Sequence, residues 1–226
     1  MRSLTKSEWV FLAIVLVYSF IPAVLALARI PELLGAPPLV PPNPRAVIAP
    51  VPIILHILAS SIFCLAGAVQ FLPSLRRTRP AFHRSLGRIV VATGSISALT
   101  GLWMTVSYVF PQALQGPLLY WARVFLSLAM FASLIWAVIA IRARNVAGHR
   151  AAMLRSYSIG QGASTQTMLL IMAMALSGVE PLGLVRDLIM IAAWGANLVA
   201  AEFLIRRTSA TRTFPVAVSR RASSQA

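Results

Sequence analysis

Acidic residues are scarce: five Asp plus Glu stand against twenty Lys plus Arg in 226 residues, for a formal net charge of +15. The single cysteine, Cys64, excludes an intrachain disulfide, a cysteine-based zinc site and an iron–sulfur cluster. Charge of either sign amounts to 11% of the chain, against roughly 25% in an average soluble domain. No G-x-x-x-x-G-K-[ST] loop, no H-E-x-x-H motif and no extended soluble domain occurs, which leaves hydrolase, kinase and nucleotide-binding readings without a site. A strongly basic chain ordinarily raises nucleic acid as a partner. Here the basic residues fall in short clusters between apolar runs, the way a membrane protein marks its cytoplasmic side, so nucleic acid is not expected.

What the chain has in abundance is apolar sequence, with 58% hydrophobic residues and a mean hydropathy of +0.81. Backbone polar groups in hydrocarbon must be satisfied internally, so apolar runs of about 20 residues imply spanning helices. Six can be drawn: Trp9 to Ala28, Val51 to Leu72, Ile89 to Phe110, Leu118 to Ile141, Leu154 to Leu176 and Leu184 to Ile205. The first is too long for the apolar region of a secretory leader and reads as a transmembrane helix. Between the first two, prolines from Pro31 to Pro52 predict a largely extended external loop, with the second helix established only after Pro52. If all six runs span, sixteen basic residues fall on one side and four, Arg29, Arg45, Arg123 and Arg186, on the other. The arginine-rich side is therefore expected to be cytoplasmic. The expected fold is an all-α, polytopic transmembrane bundle of six helices with both termini in the cytoplasm. Residues 1–50 would hold the first helix and the external loop, 51–206 a five-helix core, and 207–226 a basic disordered cytoplasmic tail.

Polar residues inside the spans carry the functional information, because each is costly in hydrocarbon unless paired. His56, Ser60, Phe63, Gly67 and Gln70 share one stripe of the second helix, and Gly94, Ser97 and Gly101 form a close-packing stripe on the third. The fifth offers Tyr157, Gln161, Ser164 and Thr165, with Gln166 turned partly away, and the sixth Asn197. These residues either bond helix to helix or line a small cavity, which keeps a small-molecule transporter in view.

Two further sequences sit at the cytoplasmic edge. His83-Arg84-Ser85-Leu86-Gly87-Arg88 lies just before the third helix, and His149-Arg150 leads through Arg155 to Tyr157 into the fifth. Arginines there suit lipid phosphate or another small anion, making the bilayer and its anionic headgroups the expected partners. A haem held by His83 and His149, or a bound quinone, is the redox alternative, the enzyme question staying open. His56 is too far along its helix to serve that inner site; an outer site would need a partner such as Met104 or Met190.

His56, Gln70-Phe71-Leu72-Pro73, the run Arg79 to Arg88, the run Ala147 to Tyr157 and Asn197 to Glu202 together resemble the predicted bacterial membrane proteins grouped as domain of unknown function 2306. The resemblance covers roughly residues 51 to 206. It implies a multi-pass protein of the bacterial inner membrane and brings no activity with it.

Overall fold

The computed structural model describes residues 4–37 and 44–210, and every element in it is helical. Helix α1 (Lys6–Leu27) opens on a reciprocal cap: Thr5 Oγ1 accepts from the Glu8 amide at 3.3 Å while Glu8 Oε2 accepts from the Thr5 amide at 2.9 Å. The connection that follows is not simply extended. It contains two short helices, α2 (Ile30–Leu33) and α3 (Pro44–Ile48), and α4 (Pro50–Gln70) begins at Pro50 instead of after Pro52. The physical reason is that a helix's first amides have no intrahelical partner, so proline in the first turn removes no bond and its fixed φ suits the start. After α5 (Pro73–Thr78) and α6 (Pro80–Ser107) come α7 (Pro117–Arg142), α8 (Val146–Gly160), α9 (Gly162–Ser177) and α10 (Gly183–Ala210).

Among the described residues, five helical segments are long and apolar enough to cross a membrane: Lys6–Leu33, Pro50–Gln70, Pro80–Ser107, Pro117–Arg142 and Gly183–Thr208. The expected single span from Leu154 to Leu176 is instead divided at Gln161 into α8 and α9. The surface agrees with a lipid environment. Val17, Phe20, Phe125, Leu188 and Phe203 each expose more than half of their area, a pattern that would aggregate in water and is at rest against acyl chains. The chain is thus an all-α, polytopic membrane bundle.

Helix α4 packs on α6, α6 on α7, and α10 runs along both α8 and α9, while α1 lies against α4 and α9. Small residues bring these helices close. The Phe63 ring is wedged where a Cβ on Gly94 would meet it at 2.6 Å and one on Gly160 at 2.5 Å, and the Tyr157 ring lies 2.5 Å from the Cβ position of Gly67. Polar ties fix the two ends. At the arginine-rich end Glu8 accepts from the Ser74 amide at 2.7 Å and its hydroxyl at 2.6 Å, joining the start of α1 to α5. At the other end Asp187 of α10 accepts from the Gly116 and Leu119 amides at 3.2 and 3.3 Å, capping α7. Helix α10 continues through residues 207–210, where a disordered tail was expected to begin; the rest of that tail, residues 211–226, lies outside the described residues.

Candidate functional site

Helix α8 ends at Gly160 and α9 starts at Gly162, so the carbonyls of Ser158, Ile159 and Gly160 lose the amides four residues on. Each is taken up by a side chain from another helix. Asn197 Nδ2 donates to the Ser158 carbonyl at 3.2 Å, Trp194 Nε1 to that of Ile159 at 3.1 Å, and Cys64 Sγ to that of Gly160 at 3.7 Å. A break in hydrocarbon is tolerable only with such replacements. The two glycines make it local: a Cβ at Gly160 would strike Phe63, and one at Gly162 would collide with the Trp194 indole. Gln161, between them, donates through Nε2 to the Tyr157 and Ser19 hydroxyls at 2.8 Å each and accepts from Ser164 Oγ at 3.0 Å. The Tyr157 hydroxyl donates to the Cys64 carbonyl at 2.7 Å, and Thr165 Oγ1 donates to Asn197 Oδ1 at 2.8 Å while also meeting the Tyr18 hydroxyl.

The break has a spatial consequence. Helix α8 lies among α4, α7 and α10, whereas α9 packs chiefly against α10 and α1. Where α9 leaves the centre, a cavity of about 410 Å³ opens, reaching from the break toward the end opposite the arginine clusters. His56, Ser97, Met104, Arg123, Ser164 and Gln166 line it among mostly apolar neighbours. Gln166 was expected to turn partly away; it is buried and donates to the Met190 carbonyl at 3.1 Å, because α10 packs over that face of α9.

Within the cavity wall, His56 Nδ1 lies 3.0 Å from the Ser97 carbonyl and 3.2 Å from Thr100 Oγ1. A carbonyl can only accept, so Nδ1 carries the proton and Nε2 is left as the ring's second functional atom. Among the described residues no hydrogen bond is made to Nε2. Arg123, from the second turn of α7, is the other basic group of the wall. Its Nη1 donates to Gln115 Oε1, a neutral amide, and its guanidinium stands 5.2 Å from the Phe110 ring centroid. Arg45 stands over the same ring at 4.6 Å. No carboxylate among the described residues lies within ion-pairing distance of Arg123; Asp187 acts on it from further away.

The residues nominated from the sequence divide between two places. Tyr157, Gln161 and Asn197 meet in the polar network at the break, and His56 faces the cavity beside it. His83, Arg84, Arg88, His149, Arg150 and Arg155 stay at the opposite, arginine-rich end. There the helices begin earlier than expected, so His83 sits in the first turn of α6 and His149 in the first turn of α8, inside the helices and not before them. Asn145 explains the second start, its Oδ1 accepting from the Gly148 amide at 2.8 Å. His149 Nδ1 donates to the Ala137 carbonyl at 2.9 Å, while His83 Nδ1 is buried with no hydrogen-bond partner. The two histidines lie within electrostatic reach of each other, but neither lines the cavity. Arg155 Nε and Nη2 hold Glu202 at 2.5 and 3.1 Å, and Arg84, Arg88 and Arg150 are exposed. Among the described residues no cluster of three or more His, Cys, Asp or Glu could hold a metal ion.

Sequence reasoning counted Arg123 only as a charge on the sparse side. Its signal was available: it lies seven residues into an apolar run that starts at Pro117, and an intramembrane arginine marks a functional position by default. Trp194 was missed because nothing in a sequence shows which indole faces a broken helix.

The family model described as Predicted membrane protein (DUF2306) matches residues 53–205, well over half of the chain. No curated protein and no solved structure matches it. The chain belongs to that family of multi-pass membrane proteins.

Proposed function

We propose that this DUF2306 family member is a membrane-embedded binding protein for a small ligand bearing a carboxylate, seated between Arg123 and His56. The observation that carries this is Arg123 itself, a guanidinium lining an internal cavity with a neutral amide as its direct partner. A charge withdrawn from water is costly unless an opposite charge meets it, and a planar guanidinium fits a carboxylate through two parallel N–H···O bonds. The cavity volume, about 410 Å³, falls within the roughly 300–1,000 Å³ of small-molecule sites. Titrating butyrate into the purified protein in a neutral detergent tests the reading. Saturable heat is expected for the parent chain and should vanish for Arg123→Gln; equal heats from both would sink it.

The topology belongs to the same reading. Helices α8 and α9 have 15 and 16 residues, about 23 Å each at 1.5 Å per residue, too short singly for a core of about 30 Å. End to end they serve as a sixth, discontinuous span. Six spans put both chain ends on the arginine-rich side, which the bias of sixteen basic residues to four makes cytoplasmic. Exposed Arg84, Arg88 and Arg150 then meet lipid phosphates at that surface and hold the bundle in register with the bilayer. The cavity faces the opposite side.

A further inference from the structure

We infer that the ligand of this cavity is an amphiphile whose hydrocarbon tail passes between α1 and α9 into a groove open to the bilayer, an inference that rests on the carboxylate site proposed above. The groove, of about 440 Å³, is lined by Ile14, Val17, Ile21, Met168 and Ile171 with few polar atoms. It adjoins the cavity, with Pro22 and Ser164 in the walls of both. Side by side, the two reach from the half-buried Arg123 guanidinium to the lipid-facing surface, with polar groups toward the first end and an apolar lining at the second.

The occupant follows from depth and chemistry. Ile14, Val17, Met168 and Ile171 expose 63%, 65%, 56% and 52% of their surface, so the groove lies among acyl chains and only a hydrocarbon group can fill it from that side. The end at Arg123 demands the opposite property, a negative charge. A single molecule satisfies both only if it joins an anionic head to a tail, as a fatty acid does. Free small anions would have to cross hydrocarbon or enter from the aqueous end, whereas a tailed acid dissolved in the bilayer arrives at the groove directly.

The doorway is built to give. Pro22 supplies no amide to the Tyr18 carbonyl, so α1 lacks an internal bond at this level. The polar ties between α1 and the start of α9 beside it are the contact of the Tyr18 hydroxyl with Thr165 and the hydrogen bond from Gln161 Nε2 to the Ser19 hydroxyl. Movement of a tail from lipid into the groove exchanges one apolar contact for another and so adds little affinity. The groove sets route and tail position, and Arg123 sets the strength of binding.

The informative readout is accordingly where the tail lies. Full-length protein in nanodiscs of neutral phospholipid is mixed with dodecanoate carrying a diazirine at its methyl end, irradiated, and the adducts mapped by mass spectrometry. Adducts are expected on α1 and α9 at Ile14, Val17, Met168 or Ile171, falling several-fold when excess butyrate occupies the head site. Adducts confined to α4, α6 and α7 would overturn the inference, and so would groove adducts indifferent to butyrate, which would be those of annular lipid. The butyrate titration reports the head site alone, so its success with misplaced adducts would remove the tail and leave the carboxylate site standing.

Discussion

Trp194 and Ile159 meet across α10 and α8, the indole Nε1 donating to the Ile159 carbonyl at 3.1 Å in place of the amide that an unbroken helix would supply. With Asn197 and Cys64 doing the same for the neighbouring carbonyls, the break at Gln161 becomes a stable feature of the bundle. The cavity exists because α9 departs from the path of α8 at that point.

Replacing Trp194 with Phe keeps an aromatic ring and deletes the donor. Hydrogen bonds between membrane helices are worth about 0.6 kcal/mol on average and up to about 1.7, and an orphaned carbonyl in hydrocarbon adds a cost of its own. Trp194→Phe should therefore destabilise the bundle by about 1–2 kcal/mol, measured by reversible unfolding in mixed micelles. A variant as stable as the parent would mean that the carbonyl finds another partner and that the indole is packing only.

The Phe63 wedge predicts a pair of effects that depend on each other. Gly160→Ala pushes a methyl into a ring whose nearest atom stands 2.5 Å from the Cβ position, an overpacking that costs about 1–3 kcal/mol. Shortening the intruder should relieve it, so Gly160→Ala combined with Phe63→Leu is expected to lose less than the sum of the two single changes. Strict additivity in the double-mutant cycle would show that the two residues do not contend for the same space.

These contacts also show where sequence reasoning reached and where it stopped. The stripe His56, Ser60, Phe63, Gly67 predicted a face turned to protein, and Phe63 is indeed fully buried there, because helical spacing alone puts those positions together. Apolar run length located the spans but missed the division at Gln161. Gly160 and Gly162 within an apolar segment are compatible with an intact helix, and the break is fixed by Trp194, Asn197 and Cys64, which are distant in the chain. Proline counting overstated its effect at Pro50 and Pro52, where the first turn tolerates the missing amide. The histidines at positions 83 and 149 drew attention through their arginine neighbours, while Arg123 carried a quieter signal as a lone charge in an apolar run.

Orientation can be read with three cysteine substitutions. Arg84→Cys and Arg150→Cys should react with a membrane-impermeant maleimide only when the cytoplasmic face is open. Gln112→Cys, at an exposed position in the turn between α6 and α7, should react from the other face of sealed vesicles. The native Cys64 is no obstacle, since it lies inside α4 with its Sγ turned to the Gly160 carbonyl. Labelling of positions 84 and 150 from opposite faces would show that α6 and α7 do not both cross, and the arrangement with six spans would fall with it.

With Nδ1 committed to the Ser97 carbonyl, His56 offers a bare Nε2 to whatever enters the cavity. A carboxylate beside it has two lone-pair oxygens and no hydrogen, so the contact needs a proton between them, on the ring or on the ligand. The complex thus holds one proton more than the free protein and free carboxylate together. By linkage, raising the pH favours the state with fewer protons, the unbound one, and the apparent affinity for butyrate should fall with rising pH by up to about tenfold per pH unit. His56→Gln supplies an amide donor that needs no proton and should bind with an affinity nearly independent of pH. A flat profile in the parent chain would place the carboxylate against Arg123 alone and take His56 out of the site.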